Sequence, residues 1–159
     1  MDKIDSLNQV AEFHRTFNAP ILATPQIPEA KRAKLRYDLL AEELKEFWDA
    51  VEQNDLVGVA DALCDLQYVL SGAVLEFGLG EKFVPLFNEV QRSNMSKACT
   101  TEAEAQATVA HYAQKDGTIA HIEESDGKFL VFRTNDHKVL KSINYSPADL
   151  EGILAATET

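Results

Sequence analysis

Two acidic stretches carry the side chains that could do chemistry. The first is Leu39-Leu40-Ala41-Glu42-Glu43-Leu44-Lys45-Glu46-Phe47, and the second is Ala60-Asp61-Ala62-Leu63-Cys64-Asp65-Leu66-Gln67-Tyr68. Both read as helix, and the polar break Gln53-Asn54-Asp55 makes them antiparallel neighbours facing across a cluster of carboxylates. At about 100° per residue, with Glu42 at zero, Glu46 falls at about 40° and Glu43 at about 100°, all in one wedge. Leu40, Leu44, Phe47 and Val51 fall in a separate arc. Asp61 and Asp65 lie one turn apart, on a face that Tyr68, Gly72 and Glu76 extend. Nearly everything else on that helix is apolar or small, so it is predicted to be buried almost all round, its aspartates included. Buried carboxylates without partners are costly, and no Lys or Arg stands between Glu46 and Lys82. A divalent cation is the simplest local remedy. Oxygen ligands without His or Cys suit a hard ion, Mg²⁺ or Mn²⁺. The plainer alternative, a solvated face for Glu42, Glu43 and Glu46, leaves the apolar setting of Asp61 and Asp65 unexplained.

The elements that must position these groups follow from periodicity and caps. Asp5 or Ser6 caps a first helix to about residue 17, with Val10, Phe13, His14 and Phe17 at helical spacing. That stripe is either core-facing or, for Phe13 and His14, the wall of a pocket for a flat base. Residues 19–28 hold three prolines and form a loop. A long helix is predicted over 29–53 and another over 55–77, capped by Asp55 and closed by Gly78 and Gly80. Gly58 and Gly72 inside the latter point to close approach by a helix or ligand. A fourth helix over 81–93 ends in Arg92-Ser93-Asn94-Met95-Ser96-Lys97, a run suited either to helix capping or to phosphate contact.

Beyond Cys99 the texture changes. Thr101 with Glu104 makes a capping box for an alanine-rich helix over 103–115, whose inner face is Val109 and Tyr112. Two strand-like runs, 118–123 and 128–133, flank Asp126-Gly127, a hairpin signal. A turn at 135–137 precedes Lys138-Val139-Leu140-Lys141, and a short terminal helix follows. The expected division is an all-α domain over 1–99 and a small α+β appendage over 100–159. The fold class is mainly α, a four-helix-type bundle with a C-terminal helix-plus-β-hairpin unit.

Composition narrows the function. The 159 residues carry a net charge of −11, which argues against a nucleic-acid or anionic-membrane surface. No run of 18 apolar residues exists and the first residues lack a signal-peptide core, so no membrane span or export is expected. Cys64 and Cys99 form no metal-binding spacing; Cys64 reads as a small buried hydrophobe, and a reduced, cytoplasmic setting fits.

Glu42-Glu43-x-x-Glu46 followed by Asp61 and Asp65 resembles the all-α nucleoside triphosphate pyrophosphohydrolases: MazG-like enzymes, dimeric dUTPases and phosphoribosyl-ATP pyrophosphohydrolase. Their signature is EExxE on one helix and ExxD on the next. Asp65-Leu66-Gln67-Tyr68 is similar to the family's D-L-x-Y, and Asn94-Met95-Ser96-Lys97 to its phosphate-contacting Asn-x-x-Lys. Phe13-His14-Arg15 and residues 138–147 also resemble the MazG-like branch, whereas residues 101–133 look like an insertion. One departure is plain: a strict ExxD ending at Asp65 needs an acid at position 62, which is Ala62; Asp61 stands one residue earlier. The resemblance implies metal ligation by Glu43, Glu46, Asp61 and Asp65, with Glu42 holding a further metal or orienting water. It makes Glu42 and Glu46 catalytic. It implies cleavage of the α–β anhydride of a nucleoside triphosphate or related pyrophosphate, with removal of non-standard nucleotides as one role. Phosphate contacts fall to Asn94, Lys97, Lys138 and Lys141, and a homodimer or homotetramer is implied. Two rivals stand beside this reading. One is a non-catalytic bundle with a degenerate acidic site. The other is a di-metal redox bundle, which normally needs Glu-x-x-His pairs; His14, His111, His121 and His137 all lie outside the two acidic helices.

Overall fold

The structure, a computed structural model, describes residues 4–156; residues 1–3, part of the N-terminal stretch considered above, lie outside it. In chain order come α1 (Ser6–Thr16), α2 (Ala30–Glu52), α3 (Leu56–Glu76), α4 (Phe83–Met95), α5 (Glu102–Asp116), β1 (Ala120–Ser125), β2 (Lys128–Arg133) and α6 (Leu150–Ala155). The chain is mainly helical with one small antiparallel hairpin, as its periodicity and turn residues indicate. It forms two compact units, the first ending at Phe83 and the second starting at Val84. This break precedes the 99/100 division expected from texture, because the end of α4 is bonded to the C-terminal segment. Ser93 Oγ donates to Tyr145 Oη (3.0 Å), Arg92 Nη2 to the Pro147 carbonyl (2.9 Å), and Ser142 N–H to the Lys97 carbonyl (3.1 Å).

In the first unit α3 is central, with α1 and α2 packed against it. Asp55 caps it, its carboxylate accepting from the amides of Val57 and Gly58. The 19–28 loop runs back along the end of α3: Leu22 N–H donates to the Leu75 carbonyl and Gln26 N–H to that of Phe77 (both 3.0 Å). Gly78 allows this approach. Its φ is +68°, and any side chain there would run into the Thr24 carbonyl.

The expectation that α3 is buried almost all round holds only for its last six residues. Ser71, Gly72, Val74, Leu75 and Glu76 are buried, but Asp61, Leu63, Cys64 and Asp65 are exposed. The physical reason is coverage: α1 and α2 cover the first part of the helix on a narrow face only, around Ala62. Leu56, Leu63 and Leu70, seven residues apart, are 79%, 51% and 39% exposed. Cys64 is accordingly an exposed free thiol and Cys99 a buried one. By length and mean hydropathy (1.3 over 18 residues) α3 could cross a membrane. Asp61 and Asp65 in its middle oppose that, since charges at bilayer depth are costly.

In the second unit, Thr101 Oγ1 accepts from Glu104 N–H (3.2 Å), while the Glu104 carboxylate accepts from the Thr100 amide and hydroxyl (2.8 Å each). The box thus closes one residue early. The hairpin pairs His121 with Phe132 and turns at Asp126 and Gly127, both at positive φ (51° and 71°), the type I′ signature. The opposite edge of β2 pairs with Cys99 and Val139. Cys99, Ala105, Val131 and Leu140 form the core, with Val109 and Tyr112 packed on it.

Candidate active site

The α2–α3 pair sets five carboxylates in one field. Glu43 is half-buried, and its Oε2 is shielded from solvent with no hydrogen-bond partner. Its carboxyl is pushed above the ordinary glutamate range, first by burial, then by the charges of Asp65, Glu46, Glu42 and Asp61 in that order. Those four are exposed. Lys45, the cation nearest in sequence, is engaged instead with Asp49 one turn on. The position-62 departure has a structural reason. Ala62 is 3% exposed and faces the packed side of α3, so Asp61 rather than residue 62 shares the field around Glu43. The carboxylates are spread rather than knotted: among the described residues, only His121, Glu123 and His137 offer ligand atoms that all lie within 4.8 Å of one another.

Residues 10–94 match the family described as phosphoribosyl-ATP pyrophosphohydrolase. The chain belongs to this family. It thereby falls within the all-α nucleoside triphosphate pyrophosphohydrolases, and the matched stretch contains all five carboxylates and Asn94. The chain is also similar to an uncharacterised protein of Acanthamoeba polyphaga mimivirus, 37% identical over 82 residues, which are 49% of this chain and 33% of that protein. The chain therefore spans about a third of that relative's length.

The other expected site residues of this pyrophosphohydrolase-family chain fall in three settings. Asn94 and Lys97 lie in the second unit, where Lys97 Nζ donates to Asn94 Oδ1 (2.7 Å). In the same unit Lys141 sits 4.3 Å from the centre of the Tyr145 ring, and Lys138 is exposed beside the 135–137 turn. On α1 the two aromatic residues part company. Phe13 is 42% exposed and stacks edge-on against Tyr68. His14 is buried at 2%, and its Nδ1–H donates to the Pro20 carbonyl (2.9 Å). The α1 stripe is thus core-facing at Val10 and His14 and open at Phe13 and Phe17.

One feature of the family domain escaped the sequence. A cleft of about 430 Å³ opens where α1 meets the first half of α3, lined by Gln9, Val10, Leu63, Cys64, Gln67 and Tyr68 among others. Gln67 Nε2 reaches Ser6 (3.4 Å) and Ser71 (3.0 Å). The D-L-x-Y run, whose Tyr68 follows Asp65 by one turn, marked one of its walls.

Proposed function

We propose that this chain hydrolyses the α–β phosphoanhydride of a nucleoside triphosphate, or of a related pyrophosphate, giving the monophosphate and pyrophosphate. The observation that carries the reading is the buried, unpartnered oxygen of half-buried Glu43 amid four further carboxylates, within the region matched to a pyrophosphohydrolase family. An all-oxygen donor set with one buried, unsatisfied oxygen suits Mg²⁺ or Mn²⁺. Glu43, Glu46, Asp61 and Asp65 would hold it, with Glu42 free for a further ion or for water. A bound divalent ion supplies neutralisation of phosphate charge and a more acidic water.

The residues themselves position and move protons. A carboxylate of Glu42 or Glu46 orients the attacking water and takes its proton as the new P–O bond forms and the P–O–P bridge opens. Pyrophosphate leaves with the bridging oxygen. Asn94, Lys97, Lys138 and Lys141 are assigned to phosphate contact from their chemistry and the Asn-x-x-Lys spacing. The cleft beside Tyr68 is offered for the nucleoside, with apolar walls at Val10 and Leu63 and amides at Gln9 and Gln67. A second copy of the chain is proposed for the open Leu56, Leu63 and Leu70 stripe, an apolar face at heptad spacing. Non-standard nucleotides as substrates are part of the proposal.

The test is pyrophosphate release from a panel of nucleoside triphosphates and phosphoribosyl-ATP, with Mg²⁺, Mn²⁺ or EDTA. Metal-dependent release is expected, and Glu46→Ala is expected to lower turnover by about 10²-fold or more. Release of single phosphate, or a Glu46→Ala variant as active as the parent, would sink the assignment.

A further inference from the structure

The hairpin unit brings together three side chains for which the pyrophosphohydrolase reading has no use. His121 and Glu123 alternate on β1 and so project from one face. His137 reaches the same place from the turn after β2. His121 Nε2 lies 3.0 Å and His137 Nε2 4.0 Å from the same oxygen, Glu123 Oε1. From this convergence we propose that His121, Glu123 and His137 form a binding site for a borderline transition-metal ion of the Zn²⁺ class, separate from the hard-cation carboxylates of α2 and α3.

Geometry supports the assignment. The ligand atoms lie within 4.8 Å of one another, whereas tetrahedral zinc with bonds of about 2.0–2.1 Å needs ligand separations of about 3.3 Å. The His121–Glu123 pair at 3.0 Å already meets that, and His137 Nε2, at 4.0 Å from the same oxygen, stands about 1 Å further out. The rings are also held in place. His137 stacks on Phe132 at 4.2 Å and 6°, and its ring lies 5.7 Å from that of His121 at 26°. His121 Nδ1 lies 3.4 Å from Thr134 Oγ1, the kind of outer contact that orients a ligating imidazole and leaves Nε2 for the ion.

The backbone fixes where the His137 side chain starts. His137 sits at φ +54°, a left-handed conformation that His adopts more readily than most non-glycine residues, and its N–H is held by the Arg133 carbonyl (2.9 Å). The turn thus holds an imidazole over the hairpin where glycine would adopt the backbone more easily. Two nitrogens and one carboxylate oxygen are a donor set for Zn²⁺, Ni²⁺ or Cu²⁺ rather than Mg²⁺. The three protein ligands leave a fourth position open to solvent.

The test is calorimetric titration of the full chain with Zn²⁺ in excess Mg²⁺, followed by the imidazole NMR signals of the four histidines. One Zn²⁺ per chain is expected, shifting the signals of His121 and His137. His137→Asn, which keeps a residue tolerant of positive φ, and Glu123→Gln should each weaken binding at least tenfold. Glu46→Gln should leave it unchanged. The site is overturned if Zn²⁺ fails to bind at micromolar levels, or if its binding survives both His137→Asn and Glu123→Gln. It is equally overturned if Mg²⁺ or Glu46→Gln abolishes the binding, which would place the ion among the carboxylates. None of these readouts depends on the hydrolytic activity.

Discussion

The α2–α3 pair buries one carboxylate, Glu76, and half-buries another, Glu43, and treats the two in opposite ways. Glu76, 1% exposed, receives hydrogen bonds from both Arg32 and Arg36. Burial alone would push its carboxyl up, but those bonds and the two positive charges hold it below the ordinary range. Glu43, midway along α2, stands among further acids, and its carboxyl is pushed up. One electrostatic cost is thus offset inside the fold at Glu76 and left open at Glu43. Unmatched charge of one sign is what a site for an external partner requires, and perturbed carboxylates cluster at such places.

Breaking the matched end should have the largest effect. Glu76→Ala leaves Arg32 and Arg36 facing each other with no counter-charge, and Arg36 is itself buried. A loss of about 3–5 kcal/mol is expected in urea unfolding. A loss below about 1 kcal/mol would remove the arginine–glutamate node as an anchor of the unit. Gly72→Ala tests the same node more gently. A Cβ there would stand 2.7 Å from Arg36 Nη1 and 3.0 Å from His14 Nε2. Because the Arg36 guanidinium is tied to Glu76 and His14 to Pro20, neither yields freely. The expected cost is about 1–3 kcal/mol, and an unchanged unfolding midpoint would show that the node relaxes.

The matched end was the less legible of the two. Asp61, Asp65 and the EExxE spacing are local, readable from one or two helical turns, and the structure sets the other four acids around Glu43. The Arg32–Glu76 pair joins residues 44 positions apart, and helical phase alone put Glu76 on the same face as Asp61 and Asp65. Helix limits and the Asp-Gly hairpin were readable because caps and turns are set by neighbouring residues. Burial of α3 was misjudged because apolar composition shows that a face seeks cover without saying which chain supplies it. The His121, Glu123 and His137 grouping needed the strand register and a turn at positive φ, neither of which spacing reveals.

The smallest effect sharpens the comparison most, because Glu76 and Glu43 should respond to pH with opposite sign. Glu76 is depressed, so its contribution is present above the unfolded-state value and is lost as pH falls through the folded one. Glu43 is raised, so between the ordinary glutamate value and its own the folded chain keeps a proton that the unfolded chain has released. Stability contributed at Glu43 therefore falls as pH rises through that window and stays reduced above it. Glu43→Gln removes the charge for good. In EDTA at neutral pH the variant should melt a few degrees higher than the parent, with the gap closing as the parent's Glu43 protonates in acid. Saturating Mg²⁺ should then stabilise the parent more than the variant, because binding to the folded state alone raises its stability, and the order should narrow or invert. A variant no more stable than the parent in EDTA at neutral pH would mean that the Glu43 field is already relieved within the chain, and the contrast with Glu76 would fail.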